Sequence, residues 1–173
     1  MPTVFTHALV GAAVAGASPK ATQRTRLVLL CAFVAVLPDA DVLAFSLGIP
    51  YAHPLGHRGL SHSIPFALAA GWALSRVAFR HDPNRAWLAI AAAMASHGLL
   101  DAFTNGGLGI GLLLPFWDAR FFFPWRPLEV SPIGASNFFA GDALRVLASE
   151  ARFVAPLLLG ILGLQALRGR RPA

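Results

Sequence analysis

Apolar runs of helical length alternate with short polar breaks along this chain. The runs extend from Thr3 to Ala17, from Leu27 to about Leu47, from about Ser63 to Phe79, from Ala86 to Phe103 and from Phe153 to Leu167. None shows the two-residue alternation of a half-buried strand, and their richness in Ala and Leu predicts helices. Within the second run, Pro38-Asp39-Ala40-Asp41 puts a proline and two acids where a helix must break or end. The first run is short: at ~1.5 Å per residue it covers only about 22 Å. Between the fourth and fifth runs lies a long stretch, Asn105 to Glu150, which opens with Gly106, Gly107, Gly109 and Gly111. It continues with Pro115, Phe116, Trp117, Phe121, Phe122, Phe123, Pro124, Trp125 and Pro127. Repeated prolines deny this stretch a long helix. Its aromatics suit the headgroup level of a bilayer or, equally, a gap above the helix ends. The predicted fold is all-α: a multi-pass transmembrane bundle of about five helices, forming one domain over residues 1–173.

Composition strengthens the membrane reading. Of 173 residues 56% are hydrophobic and 13% charged, with mean hydropathy +0.61, against about 25% charged in an average soluble domain. Disordered, collagen-like and disulfide-scaffold classes are excluded by the same figures. The net charge of +6 would suggest nucleic acid in a soluble chain. Here the basic residues flank the apolar runs: Lys20, Arg24 and Arg26, then Arg76, Arg80 and Arg85, then Arg168, Arg170 and Arg171. Cytoplasmic anchoring accounts for them, and no nucleic-acid partner is expected. Nothing basic precedes the first run, the reverse of a secretory signal peptide. The lone thiol, Cys31, lies inside LLCAFVAV and is expected to be a small core hydrophobe.

Helix directions then bring the polar residues together. With the loops at 18–26 and 80–85 and the C-terminal tail placed inside, the loops at 48–62 and 105–150 fall outside. His7 starts the first helix and Asp39 and Asp41 lie in the outer half of the second. His57 and His62 occupy the outer loop, and His97 and Asp101 end the fourth helix. All seven candidate ligands converge on one side, whereas scattered polar residues would divide between the two. An intramembrane Asp costs about 2.5–3.5 kcal/mol at a helix centre, so several need compensation, which bound metal supplies. Taken singly, plainer roles stay open: Asp39 or Asp41 as a cap after Pro38, His7 as a satisfied helix-start histidine.

His97 and Asp101 stand four apart on one helix face, able to share an ion. His57-Arg58-Gly59-Leu60-Ser61-His62-Ser63 adds two imidazoles and an Arg whose planar fork suits a phosphate or a developing oxyanion. Ser61 and Ser63 lack a nucleophile elbow and are expected to cap a helix. His81, in the basic loop, is expected on the surface. Nitrogen and oxygen donors without thiolate suit a divalent metal: zinc first, manganese or iron as alternatives, with one to three ions sharing the set. Such a centre makes hydroxide available near neutral pH and stabilises a phosphoester displacement.

The ordered set His7, PDAD at 38–41, HRGLSHS at 57–63 and HGLLDAFTNGG at 97–107, followed by Pro115-Phe116, resembles the bacterial inner-membrane metal-dependent hydrolases, the YdjM-like proteins, over roughly residues 1–116. The resemblance implies a metal-dependent hydrolase in the inner membrane, distantly similar to zinc-dependent phospholipase C and P1-type nucleases. It also implies metal ligation by His7, His57 or His62, and the His97/Asp101 pair, with Asp39 or Asp41 bridging ions or orienting water. No His follows His97, so the later ligands of a three-zinc site are missing.

The resulting expectation is an outward-facing centre of His7, Asp39, Asp41, His57, His62, His97 and Asp101 that hydrolyses an ester, phosphoester or phospholipid. Asp39 and Asp41 would orient water, Arg58 would stabilise charge on the substrate, and membrane lipid would be the neighbour or the substrate. A metal or proton transporter is one rival, although Ala67–Leu74 and Ala89–Ala95 carry almost no polar groups to continue a conduit. The other rival is a non-catalytic scaffold held together by metal.

Overall fold

A computed structural model describes residues 1–16 and 23–169. Lys20, Arg170, Arg171 and the expected end of the first helix at Ala17 lie outside the described residues. Six α-helices are present among these residues: α1 (Val4–Gly16), α2 (Arg24–Val34), α3 (Ile64–Ala78), α4 (Pro83–Asp101), α5 (Ala135–Ala140) and α6 (Ala143–Gly169). Two 3-10 segments, Leu37–Leu47 and Leu60–His62, join them. No strand occurs among the described residues, only two isolated bridges within the long loop. The all-α expectation holds, with the short α5 added to the five anticipated helices.

As Pro38 predicts, α2 stops at Val34 and the chain continues past the proline as a 3-10 helix. The Arg24–Leu47 and Ala143–Leu167 stretches are long and apolar enough to cross a membrane, while α1 and α3 are shorter apolar helices. One boundary departs from expectation: the last helix begins at Ala143, ten residues before Phe153. Its first turns are amphipathic, burying Val146, Glu150 and Val154 four residues apart while Arg145 and Arg152 face out. A hydropathy reading takes such polarity for loop.

Small residues let the helices approach. A Cβ on Gly11 would fall 2.5 Å from the Cys31 carbonyl oxygen of α2, and one on Gly71 would fall 2.8 Å from the Ala91 nitrogen of α4, close contacts typical of helix packing in lipid. Cys31 is fully buried in the main apolar core with Leu27, Val34, Ile90 and Met94, as expected. Burial is otherwise inverted relative to a soluble protein. Phe5, Leu29, Phe33, Leu88 and Leu164 expose more than half their surface, while His7, His97 and Asp101 expose none.

Chain direction sets where chemistry sits. From the end that carries Thr3 and His7, α1 runs away; α2 returns, α3 leaves from His62, and α4 returns to Asp101. Helix α6 runs beside α1. Its Glu150 accepts from the Thr3 backbone N–H, from Thr3 Oγ1 at 2.8 Å and from Thr6 Oγ1 at 2.7 Å. Fifteen residues on, Gln165 donates to the Ala13 carbonyl at 2.8 Å. Glu150 therefore satisfies the open N–H end of α1 from another helix, a buried carboxylate at the positive pole of the helix dipole. The aromatic loop folds back over this end. Ile110 and Phe121 exchange backbone hydrogen bonds at 2.8 and 2.9 Å, and Gly111 N–H donates to the Arg58 carbonyl at 2.9 Å. Its rings divide: Phe123 stacks on Phe103 at 4.2 Å, while Phe116 and Trp117 are exposed.

Candidate metal centre

His7, Asp39, His62, His97 and Asp101 meet where these helices end. From His62 Nε2 it is 3.1 Å to His97 Nε2, 3.6 Å to Asp39 Oδ1 and 3.7 Å to Asp101 Oδ2. His97 Nε2 and Asp39 Oδ1 are 3.2 Å apart. Donors bound to one ion at ~2.0–2.2 Å stand about 3–3.6 Å from one another, so this set needs little rearrangement to share a cation. His7 flanks it, stacked on His97 with ring centroids 3.7 Å apart and Nε2 3.5 Å from Asp101 Oδ1.

Unpaired buried polar atoms mark this group more sharply than proximity does. Both His7 nitrogens, Asp39 Oδ2, both Asp101 oxygens and Arg58 Nε are sealed from solvent and make no hydrogen bond, although Arg58 Nε and Asp101 Oδ2 pair their charges at 3.2 Å. Buried polar atoms are rarely left so, and each costs about 1–3 kcal/mol when unpaired. One cation could take lone pairs from a single His7 nitrogen and from both carboxylates, whereas the other His7 nitrogen cannot face the same ion. His97 Nδ1 lies 2.7 Å from the Ala35 carbonyl, which can only accept. Nδ1 therefore carries the proton, and Nε2 offers its lone pair toward His62, the outer-sphere support usual for metal-ligating histidines. His62 tells the same story electrostatically. Burial works to lower its pKa, but the neighbouring carboxylates of Asp39, Asp41 and Asp101 outweigh burial and hold it up at about 9. The surroundings draw positive charge to this point.

Asp41 and His57 fall into an adjoining group. Together with His62 they come within range of an ion, yet the Asp41 oxygens are already occupied. Oδ1 is 2.6 Å from His57 Nδ1. Oδ2 accepts from Ser61 Oγ at 2.6 Å and Arg58 N–H at 3.2 Å, and lies 3.1 Å from His62 Nδ1. A carboxylate so engaged orients His62 from behind. Neither acid caps the 3-10 helix, whose start has no side-chain cap. Ser63 does cap α3, accepting from Phe66 N–H at 3.1 Å, whereas Ser61 turns to Asp41 and corrects the expectation that it caps a helix.

Arg58 is 1% exposed with φ 62°. Its Nη1 donates to the carbonyls of Gly106 at 2.8 Å and Leu108 at 2.9 Å, its Nη2 to Thr104 Oγ1 at 3.0 Å, and Nε stands 3.2 Å from Asp101 Oδ2. With five N–H groups, one on Nη2 stays uncommitted. Arg58 thus ties the aromatic loop to Asp101 first and has little left for a substrate. Beside it a cleft of about 250 Å³ opens, lined by Tyr51, His57, Arg58, Gly107, Val130 and Ile133 among others.

Sequence reasoning passed over three residues. Arg120 sits among six backbone carbonyls, those of Tyr51, Ala52, His53, His57, Arg58 and Gly109, at 3.1–3.3 Å, and holds the loop bearing His57 and Arg58 in place. Glu150 anchors α1 under His7. Neither belongs to a local motif, because their partners are far away in sequence. His53 is exposed, its Nδ1 accepting from Leu55 N–H, and His81 is on the surface as expected.

A model of the YdjM inner membrane protein family matches residues 1–170. The chain is 38% identical over 168 residues to the inner membrane protein YbcI of Escherichia coli (strain K12), covering 94% of this chain and 97% of that one. No solved structure matches it.

Proposed function

The chain belongs to the YdjM inner membrane protein family, and we propose that it is a multi-pass, metal-dependent hydrolase acting on an ester, with a phosphoester or phospholipid favoured. The observation that carries this reading is the group of sealed, unpartnered donors on His7, Asp39 and Asp101, gathered with His62 and His97 at ion-sharing distances. Imidazole and carboxylate donors without thiolate suit zinc first, then manganese or iron. One ion fits Asp39, His62, His97 and Asp101, with His7 at its edge. A cation there would supply Lewis acidity toward a phosphoryl or acyl oxygen and lower the pKa of a coordinated water toward about 7.

The chain's own residues do the rest. Asp39 turns Oδ2 into the site, where it can orient water and accept its proton. Asp41 fixes His62. Arg58 lines the adjacent cleft, where its charge can answer charge developing on a substrate, and the exposed rings of Phe116 and Trp117 offer a surface for acyl chains. Likeness to zinc-dependent phospholipase C and P1-type nucleases belongs to this reading. So does an extracytoplasmic position, supported by Arg26, Arg76, Arg80 and Arg85 standing at the opposite helix ends.

The test is metal analysis of detergent-purified protein beside His97→Ala and Asp39→Ala. The proposal expects at least one ion per chain, lost in both variants, and unchanged content in both removes the site. A panel of phosphodiester, phosphomonoester and phospholipid substrates should then show turnover that chelator abolishes. Bound metal with no turnover across the panel would favour a metal-held scaffold.

A further inference from the structure

The larger of the two clefts lies at the other end of the bundle. About 520 Å³ in volume, it is bounded by the start of α2, the end of α3 and the turn into α4. Arg26, Arg80 and Arg85 line it. Asp82 is the one carboxylate on its wall among the described residues, and it is paired with Arg85 at 3.3 Å. Arg26 and Arg80 have no acidic partner among the described residues, and the sequence of residues 17–22 contains no acid. The cleft therefore presents two uncompensated guanidinium groups. Arg26 is held over the Phe79 ring at 5.5 Å, and Arg76 ties α3 to α4 through Asn84 Oδ1 at 2.9 Å, so the walls are fixed.

Apart from Gln23, whose Oε1 accepts from Arg26 at 3.3 Å, and His81, the remaining lining is apolar, and it is not closed off. Val77, part of the wall, is 73% exposed, and its face of α3 continues through Ala73 and Ala70 to Phe66, which is 38% exposed. A small inorganic anion has no use for that continuity, whereas a molecule with a charged head and an apolar tail does. Position agrees: from Arg85 to Asp101 along α4 is about 24 Å at ~1.5 Å per residue, which puts the cleft near the bilayer face opposite the metal centre.

We propose that this cleft binds the phosphate headgroup of an anionic phospholipid, with Arg26 and Arg80 on the phosphate and an acyl chain along Val77 and Phe66. Guanidinium forks suit phosphate oxygens, and basic pockets between helices at the cytoplasmic face are where such headgroups gain most. The proposal rests on the membrane placement given above but not on hydrolysis.

The full chain in neutral detergent is titrated with phosphatidylglycerol, phosphatidylcholine of the same chains, and inorganic phosphate, with bound lipid counted by native mass spectrometry. Phosphatidylglycerol should bind at least about tenfold more tightly than phosphatidylcholine, and lose about fivefold for each arginine removed in Arg26→Gln and Arg80→Gln. Arg26→Lys should keep most of the binding, and Arg145→Gln, exposed at the far end, should change nothing. Equal binding of the two lipids, or full retention in the Arg26→Gln/Arg80→Gln double variant, overturns the proposal. Displacement by millimolar phosphate overturns the lipid assignment in favour of a small-anion site. The thermal unfolding midpoint of the same samples reports folding. If the double variant fails that check, the single variants and Arg26→Lys decide. Loss of metal with lipid selectivity intact would count against the hydrolase reading alone.

Discussion

Asp41→Asn separates a residue that binds the metal from one that aims a ligand. The substitution keeps the side chain's shape and removes its charge. One oxygen becomes an NH2 group, which cannot accept. Around Oδ2 stand three groups, Ser61 Oγ at 2.6 Å, Arg58 N–H at 3.2 Å and His62 Nδ1 at 3.1 Å, whereas Oδ1 faces only His57 Nδ1 at 2.6 Å. The amide will therefore keep its oxygen on the Oδ2 side and turn NH2 to His57, which can accept it by shifting its proton to Nε2. His62 keeps its orientation but loses the carboxylate that makes its Nε2 more basic. Loss of such outer-sphere support weakens metal binding by about 10–100-fold, or roughly 1.4–2.7 kcal/mol. The assay is a competition titration against a chelator of known affinity, run beside His97→Ala. Asp41→Asn should hold a full complement of metal at saturation with affinity reduced by that factor. Complete loss of metal, as in His97→Ala, would make Asp41 a direct ligand and refute the reasoning. Unchanged affinity would refute it as well.

Other outcomes follow from the same geometry. Gly98→Ala should strip the site of metal and destabilise the protein by about 1–3 kcal/mol, because its Cβ would collide with the His62 carbonyl and push that residue off the cluster; Gly160→Ala in α6, with open space around it, should be neutral or gain up to about 1 kcal/mol. Thermal unfolding with metal analysis distinguishes the two. Glu150→Gln should cost about 1–3 kcal/mol, since an amide cannot accept from Thr3 N–H, Thr3 Oγ1 and Thr6 Oγ1 together; unfolding midpoints equal to wild type would exclude its role at the start of α1. Metal affinity should rise with pH. His62 holds its proton up to about 9 without metal, and a cation must displace it, so affinity should increase about tenfold per pH unit between about 7 and 9 and level off above. Chelator competition across that range checks it, and a flat profile would remove His62 from the ligand set.

Much of this protein is legible in its residues before any coordinates. Bilayer-scale apolar runs separated by basic flanks dictate helices, because in lipid every backbone N–H and C=O must be satisfied within the segment. Helix directions alone place His7, Asp39, His62, His97 and Asp101 at one end. Pro38 marks where α2 must stop, and Ser63 where α3 begins. What the linear order leaves open is the division of labour at that end. Asp39 and Asp41 are two residues apart and chemically alike. They differ because the 3-10 turn aims one into a sealed space, with an oxygen no donor reaches, and the other at Ser61, His57 and the Arg58 backbone. Arg58 looks like an anion binder in the sequence, but in the fold it is largely spent on carbonyls from residues about fifty positions later. Arg120 and Glu150 carry no signal at all until their partners, all but Gly109 standing 62 to 147 residues away, are brought beside them. Periodicity and hydropathy are local properties and determine the helices. Whether a buried polar atom is satisfied depends on distant neighbours, and only the tertiary structure decides it.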